Sequence, residues 1–227
     1  MTRRAYKSSI PADAAEVVEE RHPAGVKKSA SYFVGRERVG YREWGEHGGL
    51  EFEYAMRGGV KHGYEYRFYP DGQLLEKESY RHGSLHGVGR QWSEDGRLLV
   101  TWKLANGTGL DLWCDTLTGT LAEEHYRPKE GEPGYTRLWH GDERTVCQEY
   151  FYAAGKGYHG IWREWNARGG LRRGFPRYYV SDRRVTERQY LRAGVGDPTL
   201  PPYRPEDHDP HRELPAAYLA QRKRRKP

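Results

Sequence analysis

The chain has 227 residues, of which 36% are hydrophobic and 31% charged, and it holds seven Trp and eighteen Tyr; its mean hydropathy is −1.03. Too few aliphatic residues are present for an ordinary Leu- and Ile-filled core, and no 18-residue apolar run occurs, so no transmembrane segment is predicted. The net charge of +6 comes from the ends, with Arg3, Arg4 and Lys7 at the start and Arg222, Lys223, Arg224, Arg225 and Lys226 at the finish; between them 30 Lys and Arg meet 32 Asp and Glu, and the body lacks the positive field of a nucleic-acid binder.

Taken in order, residues 1–24 read as a polar, loosely attached arm with a short helix from about Asp13 to Arg21. Residues 27–39 resemble half of a hairpin, a strand through Tyr32 to Val34 and a turn at Gly35. From Gly40 the text repeats. Large aromatics recur at Trp44, Phe68, Trp92, Trp113, Trp139 and Trp165, at spacings of 24, 24, 21, 26 and 26 residues. Each is preceded by a glycine, at 40, 63, 87, 109, 134 and 160, and His stands before that glycine at His62, His86 and His159. Corners follow about four residues after the aromatic, as in Asp71-Gly72 and Asp95-Gly96, where glycine supplies the positive φ of a tight turn. The fourth and fifth units are irregular, with Thr118-Gly119 late and Gly-Asp-Glu at 141–143.

A period of this length predicts a repeat architecture, because one hairpin cannot bury its own face but stacked hairpins share a thin continuous core. Each stacked Trp removes on the order of 150–250 Å² from water. The expected fold class is all-β: about six β-hairpins forming an elongated twisted antiparallel sheet over 25–176, closed by a C-terminal capping segment over 177–220. Within that segment Thr186-Glu187-Arg188-Gln189 is a capping box for a short helix to about Ala193, and Ala216 to Ala220 form one more turn. Residues 221–227 are a basic tail, expected to be a solvated end.

The repeated G-x-x-x-x-[WF]-x-x-x-G, seen at Gly63, Phe68 and Gly72 and again at Gly87, Trp92 and Gly96, is followed by a strand and by G-x-x-H-G at Gly83 to Gly87. Over roughly residues 35–175 this resembles the MORN-type repeat in its bacterial variant, as in the YwqK-type antitoxin family. The resemblance implies a non-catalytic protein-interaction scaffold of toxin–antitoxin type, with another protein, a toxin or effector, as partner; some MORN-like arrays are proposed to bind lipid headgroups. It supplies no catalytic motif.

Two residues before the aromatics stand Arg42, Tyr66, Arg90, Asp111, Arg137 and Arg163. An Arg so placed either stacks on an aromatic of the next hairpin, which is structural, or joins an Arg and aromatic stripe that receives an acidic partner surface or a phosphate group. Arg42, Tyr66, Arg90, Arg137 and Arg163 are therefore the candidate binding residues. The unit histidines are expected to bond a nearby carbonyl in the turns, and neither they nor His208 and His211 complete a metal set. Cys114 and Cys147 lie in no C-x-x-C and read as reduced thiols of a cytoplasmic protein, with no cofactor. No catalytic fingerprint occurs. The leading expectation is a protein-binding scaffold; the alternatives are a peripheral binder of anionic lipid or nucleic acid using the Arg stripe and basic tail, and a glycan-binding protein or hydrolase using exposed aromatics.

Overall fold

Strand pairing begins earlier than the sequence suggests. The structure, a computed structural model, describes residues 6–223; Arg3 and Arg4, and Arg224, Arg225 and Lys226 of the basic tail, lie outside the described residues. Residues Ala15–Arg21, expected as a helix, form strand β1 against β2, Lys27–Val34. Ala14, Val17 and Val18 are the only i, i+3, i+4 apolar set of the expected helix, and its charges find cross-strand partners instead: Glu16 accepts from Lys27 and from the Tyr32 hydroxyl, and Glu20 pairs with Lys28. The half-hairpin is thereby a whole one.

By its contacts the chain divides into two compact units, Met1–Gly107 and Thr108–Pro227, the boundary falling inside the expected array. In the first, β3 Glu37–Trp44, β4 Leu50–Arg57, β5 Val60–Phe68, β6 Leu74–Arg81, β7 Ser84–Leu85, β8 Gly87–Trp92 and β9 Leu98–Ala105 continue the antiparallel meander. In the second, β10 Thr108–Cys114, β11 Leu121–Arg127, β12 Pro133–Trp139, β13 Val146–Ala153, β14 Gly157–Tyr158, β15 Gly160–Glu164, β16 Arg177–Val180 and β17 Arg183–Val185 do the same. The fold is thus mostly antiparallel β-sheet with two short helices, α1 Glu187–Gly194 and α2 Ala216–Lys223. No described helix is long and apolar enough to cross a membrane.

Four of the anchor hairpins carry the same bulge. Register slips by one residue just before the anchor, so that Trp44 faces Leu50, Phe68 faces Leu74, Trp92 faces Leu98 and Trp139 faces Val146. A bridge joins Trp165 to Leu171 in the same way. In the fourth hairpin the slip lies between Trp113 and Cys114, and the residue facing Leu121 is Cys114. Cys114 is buried and Trp113 only half-buried. Trp113 therefore does not occupy the anchor position: a one-residue shift in a strand exchanges the two faces. Of the other anchors Phe68, Trp92, Trp139 and Trp165 are buried and Trp44 is half-buried.

The unit histidines do something other than bond carbonyls. Nδ1 of His62 accepts the His82 N–H at 3.5 Å, Nδ1 of His86 accepts the Asn106 N–H at 3.2 Å, and Nδ1 of His159 accepts the Ser181 N–H at 3.0 Å. His82, Asn106 and Ser181 have φ of 50°, 52° and 49°, and the residue after each also has positive φ. Each imidazole thus reaches one hairpin ahead and caps a corner whose two central residues are left-handed, the geometry of the tight turns that match strand twist.

His159 is fully buried, with Nε2 at 2.9 Å from the Thr199 hydroxyl and 3.3 Å from the Asp197 carboxylate. Burial first, then the Lys156 charge, push its pKa below the ordinary value, with Asp197 opposing. The folded chain holds the proton less tightly than the unfolded chain, so this contribution is complete above the unfolded value of about 6.5 and is lost as pH falls through the folded-state value. The melting temperature is expected to drop between about pH 7.5 and 5, and to drop less in His159→Gln. Equal drops in the two proteins would contradict the assignment.

The amino-terminal segment is not loose. Tyr6 packs edge-on against Tyr66 and Phe68, the Tyr66 hydroxyl donates to the Lys7 carbonyl, and Ile10 is buried over Gly40, where a Cβ would overlap it. At the other end the Thr186–Gln189 capping box is present. Residues 221–223 continue α2 rather than forming a solvated tail, and Arg222 pairs with Glu143. Glu143 takes the left-handed corner that glycine fills in other units, and the Tyr218 hydroxyl of α2 donates to it at 2.5 Å.

Candidate functional site

The predicted arginine stripe lies in a row of cross-strand neighbours. In the second unit the row runs Leu112, Glu124, Arg137, Glu149, Arg163 on β10, β11, β12, β13 and β15. It alternates in sign because both strands of a hairpin carry it, Arg on the first and Glu on the second. Arg137 donates from Nε to Glu149 at 2.7 Å and from Nη1 to Glu124 at 2.9 Å, with its guanidinium 4.4 Å from the Tyr135 ring centre. Arg163, 1% exposed, donates to Glu149 at 3.2 Å. Arg212, from the segment following the Pro205–His208 turn, adds bonds of 3.1 and 3.0 Å to the same carboxylate. Burial pushes Glu149 up, but the Arg212 hydrogen bond and the charges of Arg137 and Arg212 overcome it and hold the carboxyl below its usual range. Glu124 has one guanidinium, and there burial wins and the pKa rises. Arg137 and Arg163 are consequently absorbed into the fold.

In the first unit the row runs Ala30, Arg42, Glu53, Tyr66, Lys77, Arg90, Thr101. Its start follows the same rule: Arg42 donates to the fully buried Glu53 at 2.7 Å and lies 4.7 Å from the Tyr32 ring centre. Its continuation does not. At the second-strand position where other hairpins have Glu53, Glu124 and Glu149, this one has Lys77, directly opposite Arg90. Neither cation forms an ion pair among the described residues. Asp111, the fourth stripe position, faces away from Leu112, and pairs with Arg127 at 2.9 Å.

Lys77 and Arg90 stand in a cleft of about 900 Å³ floored by Leu74 and Trp92 and closed on one side by the segment Tyr6 to Ser9. Among the described residues no carboxylate lines it. Lys77 Nζ sits 3.6 Å from the Tyr64 ring centre, and burial, then the Arg90 charge, lower its pKa. Ser8 Oγ accepts from the Ile10 N–H at 3.0 Å and from Arg42 Nη2 at 3.3 Å, and Ser9 Oγ accepts from the Tyr64 N–H at 3.3 Å. Ser8 Oγ thus has both acceptor lone pairs engaged and Ser9 Oγ one, and each keeps its proton to donate. Two opposed cations, a third at Lys7 and hydroxyl donors make a site complementary to negative charge.

The stripe position therefore brings together Tyr66 and Arg90 at the cleft and leaves Arg42, Arg137 and Arg163 bound to carboxylates. Lys77, Tyr64, Lys7, Ser8 and Ser9 were missed. Lys77 carries a readable signal, since it stands nine residues after Phe68 as Glu53 does after Trp44; the serines carry none, because only folding brings the arm across the sheet.

A smaller cleft of about 450 Å³ in the second unit is lined by His125, Arg127, Tyr150, Tyr158 and Asp182 among others. Its charges are engaged locally, Arg127 with Asp111 and His125 with Thr136 at 2.9 Å and Glu123 at 3.1 Å. Tyr150, Tyr158 and Trp162 pack on one another with ring centres 5.1–5.6 Å apart. Cys114 and Cys147 are free thiols, and among the described residues no group of three or more His, Cys, Asp or Glu is placed to hold a metal ion. No family model matches the chain, and no curated protein matches it.

Proposed function

We propose that the protein is a non-catalytic binding scaffold whose repeat sheet holds the Lys77–Arg90 cleft open to an anionic group on another protein. One observation carries the reading: a charge row whose Arg42, Arg137 and Arg163 each meet a glutamate presents two opposed cations here, in a cleft that no carboxylate among the described residues lines. Two like charges directly across a sheet destabilise it unless something compensates them, and a ligand is the natural compensation. In the antitoxin form of the reading the partner is a toxin or effector and the compartment is the cytoplasm.

A photoreactive tyrosine analogue at position 64, 39% exposed beside Lys77, tests this. It is expected to trap a protein in extracts of the producing cells, and the trapping is expected to be lost in Lys77→Glu. Trapping of nucleic acid or lipid alone would favour the peripheral-binder alternative, and unchanged trapping in the variant would remove the cleft from the interface.

A further inference from the structure

We infer that the group taken by this cleft is the dianion of a phosphate monoester carried on a side chain of the partner protein. The inference rests on the reading of the cleft as the partner site and adds the chemistry of what enters it. Lys77 and Arg90 are direct cross-strand neighbours on β6 and β8, and both side chains line the same cleft. A carboxylate would neutralise one and leave the other; a phosphate monoester, with a charge near −2 and three acceptor oxygens, neutralises both and accepts additional hydrogen bonds. The Ser8 and Ser9 hydroxyls and Lys7 supply further donors at the rim. Among the described residues the titratable and charged groups that line the cleft are Tyr6, Lys7, Tyr64, Tyr66, Lys77 and Arg90, with no histidine or carboxylate among them to compete for the cations.

The side chains also favour a protein over the other carriers of phosphate. Stacking of a nucleobase needs an open ring face; Trp92 and Tyr66 are 3% and 2% exposed, one face of Tyr64 is covered by Lys77, and Tyr6, 38% exposed, is already packed edge-on against Tyr66 and Phe68. Lys7, Ser8 and Ser9 stand beside the exposed Tyr6 and Tyr64 in the lining, with no exposed aliphatic side chain among the described residues there to enter a bilayer.

Calorimetric titration of the full chain tests the inference. Phenyl phosphate is expected to bind at about pH 7.5 at least about tenfold more tightly than benzoate, since one charge-assisted hydrogen bond is worth that factor or more. Its affinity is expected to fall as pH drops through the second phosphate ionisation near about 6. Lys77→Glu, which installs the carboxylate that three other hairpins carry, is expected to abolish binding while keeping the fold, with a melting temperature about 2–4 °C higher; Arg90→Gln is expected to lose about tenfold. A phosphoserine peptide is expected to bind and its unphosphorylated form not. Binding of benzoate as tight as that of phenyl phosphate, retention in both variants, or a preference for phosphatidic acid vesicles or an oligonucleotide over the phosphopeptide would each overturn the inference. Phosphatase treatment of the extract separates it from the broader reading: trapping at position 64 that persists after treatment refutes the phosphate and keeps the protein partner.

Discussion

Glu149→Ala is expected to cost the second unit about 3–5 kcal/mol, a large part of what holds a domain of this size folded. The carboxylate is 1% exposed and accepts from Arg137, Arg163 and Arg212. Removing it leaves Arg163, also 1% exposed, with only Asp207 at 3.7 Å, and a buried charge stripped of its partner is costlier than the pair was stabilising. It also removes both carboxylate bonds of Arg212, 63 residues away in sequence, leaving the segment after Pro205 held by backbone bonds such as Arg212 N–H to the Arg144 carbonyl, so it should become more open to protease. Urea denaturation gives the loss and limited proteolysis the release. A loss under about 1 kcal/mol, the range of an exposed ion pair, would show that the row does not hold the sheet together.

Trp165→Ala is expected to cost a similar amount, about 3–5 kcal/mol for emptying a large buried aromatic site. The ring is 1% exposed, its Nε1–H donates to the His208 carbonyl at 2.6 Å, and Arg212 lies 5.5 Å from the ring centre. The substitution therefore opens a cavity and leaves a carbonyl without its donor. Trp113→Ala is the comparison, because the bulge gives the anchor position to Cys114 and leaves Trp113 half-buried; its loss should be clearly smaller. Equal losses in urea denaturation would contradict the register.

The period of the chain could be read because hairpin corners and anchor pairs are local. Gly48, Gly72, Gly96 and Gly169 all have φ near 80°, and each follows its anchor by four residues. What could not be read depended on a partner across the sheet. The bulge that replaces Trp113 by Cys114 shifts register by one residue without changing composition. Strand β1 is held by Lys27, Lys28 and Tyr32, which the helix reading of Asp13 to Arg21 ignored. An arginine two places before an aromatic has no fixed meaning until its neighbour is known: Arg137 sits between two glutamates, and Arg90 sits beside a lysine. The cleft needed one further fact, the passage of Tyr6 to Ser9 over β5, which joins residues more than fifty positions apart.

The melting temperature of Lys77→Glu without ligand tests most directly whether the charge row is closed everywhere except at the cleft. Restoring the carboxylate that Glu53, Glu124 and Glu149 provide in their hairpins converts a repulsive cross-strand pair into an attractive one, and a rise of about 2–4 °C is predicted. A fall of that size or more would mean that Lys77 belongs to the fold, and that the open pair of cations is not a site kept for a partner.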